Sequence, residues 1–296
     1  MSHTEIEIAS QPACWERAVG MAVPAGALPE RGERVAVVGC GTSWFIAQAY
    51  AVLRERAGHG ETDAFAASEA PVHRPYDRVL ALTRSGTTTE VLDLLRRVRE
   101  GGRTRTTAIT ADPGTPVMGL ADQVVVLEFA DERSVVQTRF ATTQLALLRA
   151  HLGEDLSGAV ADAGRALAEP LPAEAQEAEQ IAFLGTGWSY GLAREAALKM
   201  REASRSWTEA YPAMEYRHGP ISIAGPGRVT WMLGAAPAGL REQVEAAGGA
   251  FLESGLDPMA ELIRAQRVAV ARAHARGLDP DEPMHLTRSV ILNSPS

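Results

Sequence analysis

Val79-Leu80-Ala81-Leu82-Thr83-Arg84-Ser85-Gly86-Thr87-Thr88-Thr89-Glu90-Val91 reads as a buried strand, a tight hydroxyl-rich turn and the start of a helix. The apolar run up to Leu82 suits a strand covered on both faces. Gly86 permits a turn that a side chain would obstruct. Val91, Leu92, Leu94, Leu95 and Val98 then recur at helical spacing. Such a turn aims backbone N–H groups and hydroxyls at one spot, on the positive end of a helix dipole, which suits an anion such as phosphate. The simpler reading is a helix cap, with Thr87 and Glu90 as a capping box. A cap needs one hydroxyl, and this stretch crowds five into seven residues: Thr83, Ser85, Thr87, Thr88 and Thr89. It is not a Walker loop, which requires Gly-Lys-Ser/Thr; the only lysine in the chain is Lys199.

Outward from this stretch, strands alternate with helices. An entry helix is predicted over about Pro12–Leu28. Val35–Gly39 reads as a strand entering a glycine turn, Gly39-Cys40-Gly41-Thr42-Ser43, before a helix around Ile46–Leu53. Further strands are predicted at Thr62–Ala67, Thr106–Thr110 and Val124–Leu127, then a helix over Gln137–Leu152. The alternation predicts an α/β fold with a parallel sheet. After a Pro-marked connection between Leu167 and Gln180 the pattern restarts. Ile181–Ser189 echoes Val35–Ser43, and Gly185 lies 146 residues after Gly39. The chain is therefore expected to hold two similar halves. At Val229–Ala236 the organising strand should recur, but Ala and Gly stand where the first half has Ser and Thr. The second half also looks shortened between Gly234 and Pro258, before a helix over Pro258–Arg276 and a tail, Leu278–Ser296. The predicted domains are 30–155, with the anion site, and 165–296.

Composition bounds the function. The chain has 296 residues, 46% hydrophobic, enough for a real core. A net charge of −8 argues against nucleic acid as the main partner. No apolar run is long enough to span a membrane, and Met1–Ser10 lacks a signal-peptide pattern. Cys14 and Cys40 have no metal or disulfide spacing. These features point to a cytoplasmic protein without a metal or cofactor. A nicotinamide site is disfavoured, because Trp44 and Tyr190 occupy the third glycine position of the dinucleotide fingerprint.

With 28 arginines to one lysine, Lys199 is informative. Glu195 and Lys199 are spaced i,i+4, and Lys199 and Glu202 i,i+3, so the three share one helix face. Downstream, Glu215-Tyr216-Arg217-His218-Gly219-Pro220 sets a histidine on a fixed turn rather than in a helix interior.

Six words now fall in order: Gly39–Ser43, Thr83–Thr88, Arg139–Leu145, Ala196–Ser204, Glu215–Pro220 and Leu286–Val290. On these the chain resembles the sugar isomerase (SIS) family, and within it the isomerase part of glucosamine-6-phosphate synthase and the related amino-sugar-phosphate isomerases and deaminases. The resemblance implies two tandem three-layer αβα sandwiches of flavodoxin-like type, the second degenerate. It implies that Thr42, Ser43, Thr83, Ser85 and Thr88 hold the sugar phosphate, with Gly41, Arg84, Gln137 and Arg288 as further substrate-contact positions. Glu202 matches the carboxylate that moves a proton between C1 and C2. His218 matches a ring-opening histidine contributed by the neighbouring subunit of a homodimer, and Lys199 a lysine of the catalytic helix. The departures are informative. The synthase's glutamine-hydrolysing domain has no counterpart, so glutamine-dependent synthesis is not expected of this chain alone. Arg288 replaces a tail lysine and cannot form a Schiff base. Gln137 replaces a serine. Isomerase or deaminase chemistry on a hexose or amino-hexose 6-phosphate remains, with a non-catalytic phosphosugar sensor as the alternative.

Overall fold

The computed structural model describes residues 1–71 and 73–292. The chain divides into two compact units. One comprises Ala13–Glu132, Arg139–Asp155 and the tail from Thr287; the other comprises Met1–Pro12, Arg133–Thr138 and Leu156–Leu286.

Two short helices open the chain, α1 (His3–Ala9) and α2 (Gln11–Val19). The single entry helix expected over Pro12–Leu28 is thus corrected: it ends at Val19. Gly20 follows at once and Pro24 shortly after, neither of which favours continuing a helix. α1 starts at a capping box, with the Ser2 hydroxyl accepting from the Glu5 N–H and Glu5 returning to the Ser2 N–H.

The first unit is built on a parallel sheet of β1 (Val35–Gly39), β2 (Thr62–Ala66), β3 (Arg78–Leu82), β4 (Arg105–Thr110) and β5 (Gln123–Val126). The order is β2-β1-β3-β4-β5, that of a flavodoxin-like doubly wound sheet. β1 and β3 are buried along their whole length, as expected of strands covered on both faces. Helices α3 (Thr42–Arg56), α4 (Thr89–Gly101) and α5 (Arg139–His151) complete the unit. Val91, Leu92, Leu94, Leu95 and Val98 of α4 pack with Ala36, Val38, Val79 and Ala81 of the sheet. At the amino end of the sheet, Arg78 pairs with the Glu33 carboxylate at 3.0 Å and donates to Thr107 Oγ1 at 2.8 Å, both inside the protein.

In the second unit, α6 (Ser157–Ala168) and α7 (Ala173–Glu177) precede β6 (Gln180–Gly185), α8 (Ser189–Ser204), β7 (Trp207–Pro212), β8 (Arg228–Leu233), α9 (Leu240–Ala246), β9 (Ala250–Leu252) and α10 (Pro258–Ala275). The four strands are parallel, in the order β7-β6-β8-β9. That is the order of the first sheet without its fifth strand. α10 starts at Asp257, whose carboxylate accepts from the Met259 N–H at 2.9 Å, with Pro258 in the first turn. Among the described residues no helix is long and apolar enough to cross a membrane.

Candidate active site

In the first unit the strand order reverses between β1 and β3, and the two are hydrogen-bonded with Val38 opposite Ala81. Their carboxyl-end turns, Gly39–Ser43 and Thr83–Thr89, are therefore neighbours at a topological switch point, where doubly wound sheets bind ligands. Two glycines allow this. A Cβ on Gly39 would lie 2.7 Å from Ser43 Cβ, so only glycine lets α3 start this close to the strand. Gly86 has φ 62° and no room for a Cβ against Thr115 and Val117.

The turn after β3 gathers hydroxyls. Thr83 and Ser85 are buried. Thr83 Oγ1 accepts from the Gly86 N–H at 3.2 Å, which fixes the turn. Ser85 Oγ accepts from the Thr87 N–H at 3.3 Å and lies 3.5 Å from Thr88 Oγ1. The Thr87–Glu90 capping box does not form: the cap residue of α4 is Thr88, and it makes no side-chain cap bond. The hydroxyls are thus not consumed in capping. Thr42 and Ser43, on the adjacent turn, are buried, while Gly41 is exposed with φ 54°. In the same turn, burial, and then the charge of Glu90, push the Cys40 thiol up to about 11.

Arg84 and Arg288 are committed to protein partners. Arg84 is buried and pairs with the buried Glu132 carboxylate at 3.2 Å; it also donates to the Arg288 carbonyl at 3.2 Å. Arg288 reaches the Asp131 carboxylate and the Glu132 carbonyl. The tail residue Ser289 enters the hydroxyl cluster itself, with Oγ 3.1 Å from Ser85, 3.0 Å from Thr87 and 3.3 Å from Thr88.

In the second unit, α8 brings Glu195, Lys199 and Glu202 into contact. Lys199 Nζ is 3.5 Å from Glu195 and in closer contact with Glu202. The side chains of Glu195 and Lys199 are 0% and 2% exposed and that of Glu202 is 17% exposed, so Glu202 alone of the three faces solvent. A buried ammonium between two carboxylates avoids the cost of an unpaired buried charge. Gln137 belongs to this unit, and its buried Oε1 has no hydrogen-bond partner among the described residues. His218 ends a one-turn 3₁₀ helix, Glu215–His218, and is exposed; the buried Tyr216 anchors that turn. Among the described residues no group of three or more His, Cys, Asp or Glu is placed to hold a metal ion.

The SIS domain model matches residues 30–152. Residues 30–152 are a SIS domain. The chain around it is homologous to the isomerase portion of larger enzymes. It is 27% identical over 299 residues to the glutamine–fructose-6-phosphate aminotransferase (isomerizing) of Sulfurisphaera tokodaii, covering 89% of this chain and 51% of that protein. The chain thus spans about half the length of the curated relatives it matches. The crystal structure of glucosamine-6-phosphate deaminase from Thermotoga maritima matches with a TM-score of 0.83 and 27% identity, covering 98% of this chain and 100% of that one. The tagatose-6-phosphate ketose/aldose isomerase of Escherichia coli shares the fold at a TM-score of 0.78 and 19% identity, over 97% of both chains. The first switch point described above lies wholly within the SIS domain, apart from its tail residues.

Three contributors carried no assigned role in the sequence reading: Glu195, the Asp131–Glu132 pair and Ser289. Glu195 was visible only as half of an i,i+4 pair. Asp131 and Glu132 sit in what reads as a polar loop. Ser289 lies inside the Leu286–Val290 stretch, but no spacing rule brings a residue about 200 positions away onto the Thr83–Thr89 turn.

Proposed function

We propose that the protein is a phosphosugar isomerase or amino-sugar-phosphate deaminase acting in the cytoplasm on a hexose 6-phosphate or amino-hexose 6-phosphate. The observation that carries the reading is the Glu195–Lys199–Glu202 trio, because a sensor needs a phosphate site but no carboxylate held against a buried lysine. The Thr83–Thr89 hydroxyls and the Thr42–Ser43 turn bind the phosphate, and this remote binding energy positions C1 and C2. His218, given by the second subunit of a homodimer, opens the ring. Glu202 then takes the proton from C2 of the aldose and returns it to C1, through an enediol or, for an amino sugar, an enolamine. In the deaminase variant the enolamine becomes the C2 imine, and water replaces nitrogen to release ammonia and the ketose phosphate. The second half, residues 165–296, repeats the first in shortened form, gives up anion binding at its own switch point and retains the catalytic helix, while its tail from Thr287 joins the first unit. The Thermotoga deaminase, similar over nearly the whole of both chains, supports the deaminase branch.

The test is to incubate the protein with a panel of hexose and amino-hexose 6-phosphates and follow isomer and ammonia together. Turnover of at least one is expected. Tight binding of a phosphosugar with no turnover of any would favour the sensor.

A further inference from the structure

Apart from the candidate active site, the second unit holds a cavity of about 370 Å³ among α1, α10 and the connection between α6 and α7. That is within the range of small-ligand sites. Arg267, Val270, Ala271 and His274 follow one another at helical spacing along one face of α10 and form one wall. Ile8 of α1, with Leu167 and Leu171, supplies the rest of the apolar surface. Among the described residues the only ring in the lining is the His274 imidazole, so the walls suit a flexible aliphatic chain better than a flat aromatic ligand.

Arg267 is the charged group of this wall that lacks a counter-ion. Its Nη1 donates to the Ala166 carbonyl at 2.6 Å and to the Glu169 carbonyl at 2.8 Å, which satisfies the carboxyl end of α6. Among the described residues its Nε and Nη2 make no hydrogen bond, and no carboxylate lies within ion-pair distance of it. The Glu169 carboxylate goes to Arg165 at 3.5 Å and to Arg264 at 3.9 Å instead. Glu5, the acidic side chain of the lining, accepts from the Ser2 amide at 2.7 Å in the capping box of α1. Burial, and then the charge of Arg264, push the Arg267 pKa down, yet a guanidinium stays protonated. A half-buried cation without an anion is costly. A carboxylate would relieve that cost, because its two oxygens match the parallel N–H groups of Nε and Nη2.

We propose that this cavity is a binding site for a small aliphatic monocarboxylate, with the carboxylate on Arg267 and the hydrocarbon chain against Ile8, Leu167, Leu171 and Val270. A ligand so placed touches α1, α10 and the α6–α7 connection together, so its binding stabilises their packing on one another.

The experiment titrates octanoate into the full chain by calorimetry, for wild type, Arg267→Gln and Ala271→Phe, and follows amide hydrogen exchange in α1. Octanol keeps the chain and lacks the charge; octylamine reverses the charge. Saturable binding of octanoate is expected in wild type, weaker binding of octanol and none of octylamine, with slower exchange in α1 when octanoate is present. Arg267→Gln should weaken octanoate binding by about tenfold or more. Ala271→Phe fills the cavity from α10 and should abolish it. Octanoate that does not saturate, that octanol or octylamine matches, or that binds both variants as it binds wild type overturns the site. Circular dichroism checks that each variant folds. Should Arg267→Gln not fold, retained binding in Ala271→Phe overturns the proposal; should neither fold, the three probes on wild type decide it.

Discussion

The two sheets reverse strand order at corresponding places, and the crevices there are chemically opposite. In the first, the turn after β3 offers Ser85, Thr87 and Thr88 around one point. In the second, the turn after β8 is Gly234-Ala235-Ala236, with no hydroxyl. There Ser189, the first residue of α8, closes the gap: its Oγ accepts from the Thr186 N–H at 2.9 Å and donates to the Leu233 carbonyl at 2.8 Å. Topology offers a switch-point crevice twice; side chains gather hydroxyls at one and close the other with Ser189. The second unit instead offers α8, with its buried Lys199 and the partly exposed Glu202.

The proposed division of labour can be broken at several points. The largest effect is expected at Glu202. Glu202→Gln keeps the shape and removes the base, so turnover should fall by about 10²–10⁴ with phosphosugar affinity nearly unchanged. A comparable loss of affinity would mean that the two functions are not separate. Next come the hydroxyls. Ser85→Ala and Thr88→Ala should each weaken phosphosugar binding by about 1.5–3 kcal/mol, read by calorimetry, with the melting temperature retained.

Two glycines sharpen the contrast further. Gly86 and Gly234 both have positive φ, 62° and 93°. Alanine at either costs roughly 1–2 kcal/mol of backbone strain. At Gly234 the added methyl meets Pro258 and Ser189 at 3.6 and 3.7 Å, ordinary contact, whereas at Gly86 it collides with Thr115. Both variants should melt earlier, Gly86→Ala more so, but only Gly86→Ala should lose phosphosugar binding. Equal loss of binding in Gly234→Ala would contradict the assignment of the second crevice.

Much of this was legible in the sequence. Long apolar runs bounded by glycine placed β1, β3, β6 and β8, because a strand buried on both faces admits little else. β7 and β9 escaped notice: β7 carries Trp207, Glu209 and Tyr211 at an edge and is only partly buried, and β9 has three residues. The spacing of Glu195, Lys199 and Glu202 showed a shared helix face but not its burial, which depends on what packs over α8. The tail's seat on the hydroxyl turn was out of reach, since nothing local links Ser289 to Ser85.

The smallest effect separates the units by pH. The Asp281 carboxyl is held below the usual carboxylate range: burial opposes this, but bonds from the Thr4 hydroxyl and amide and from the His3 amide outweigh it. A depressed folded pKa means that the stabilisation is present above the ordinary carboxylate pKa, about 4, and is lost as pH falls through the folded value. Hydrogen exchange in α1 should therefore quicken on acidification below about pH 4 beyond its intrinsic rate, and Asp281→Asn should show that loosening already at neutral pH. Exchange in α1 that is indifferent to Asp281→Asn would remove this anchor.

The central claim is that phosphate is held at the end of β3 and not at the end of β8. Backbone amide NMR during a titration with a hexose 6-phosphate tests it most directly. The account predicts saturating shifts centred on Ser85, Gly86, Thr87, Thr88 and Thr89, with Gly234, Ala235 and Ala236 unmoved. Shifts centred on Gly234–Ala236, with the Thr83–Thr89 turn unmoved, would contradict it.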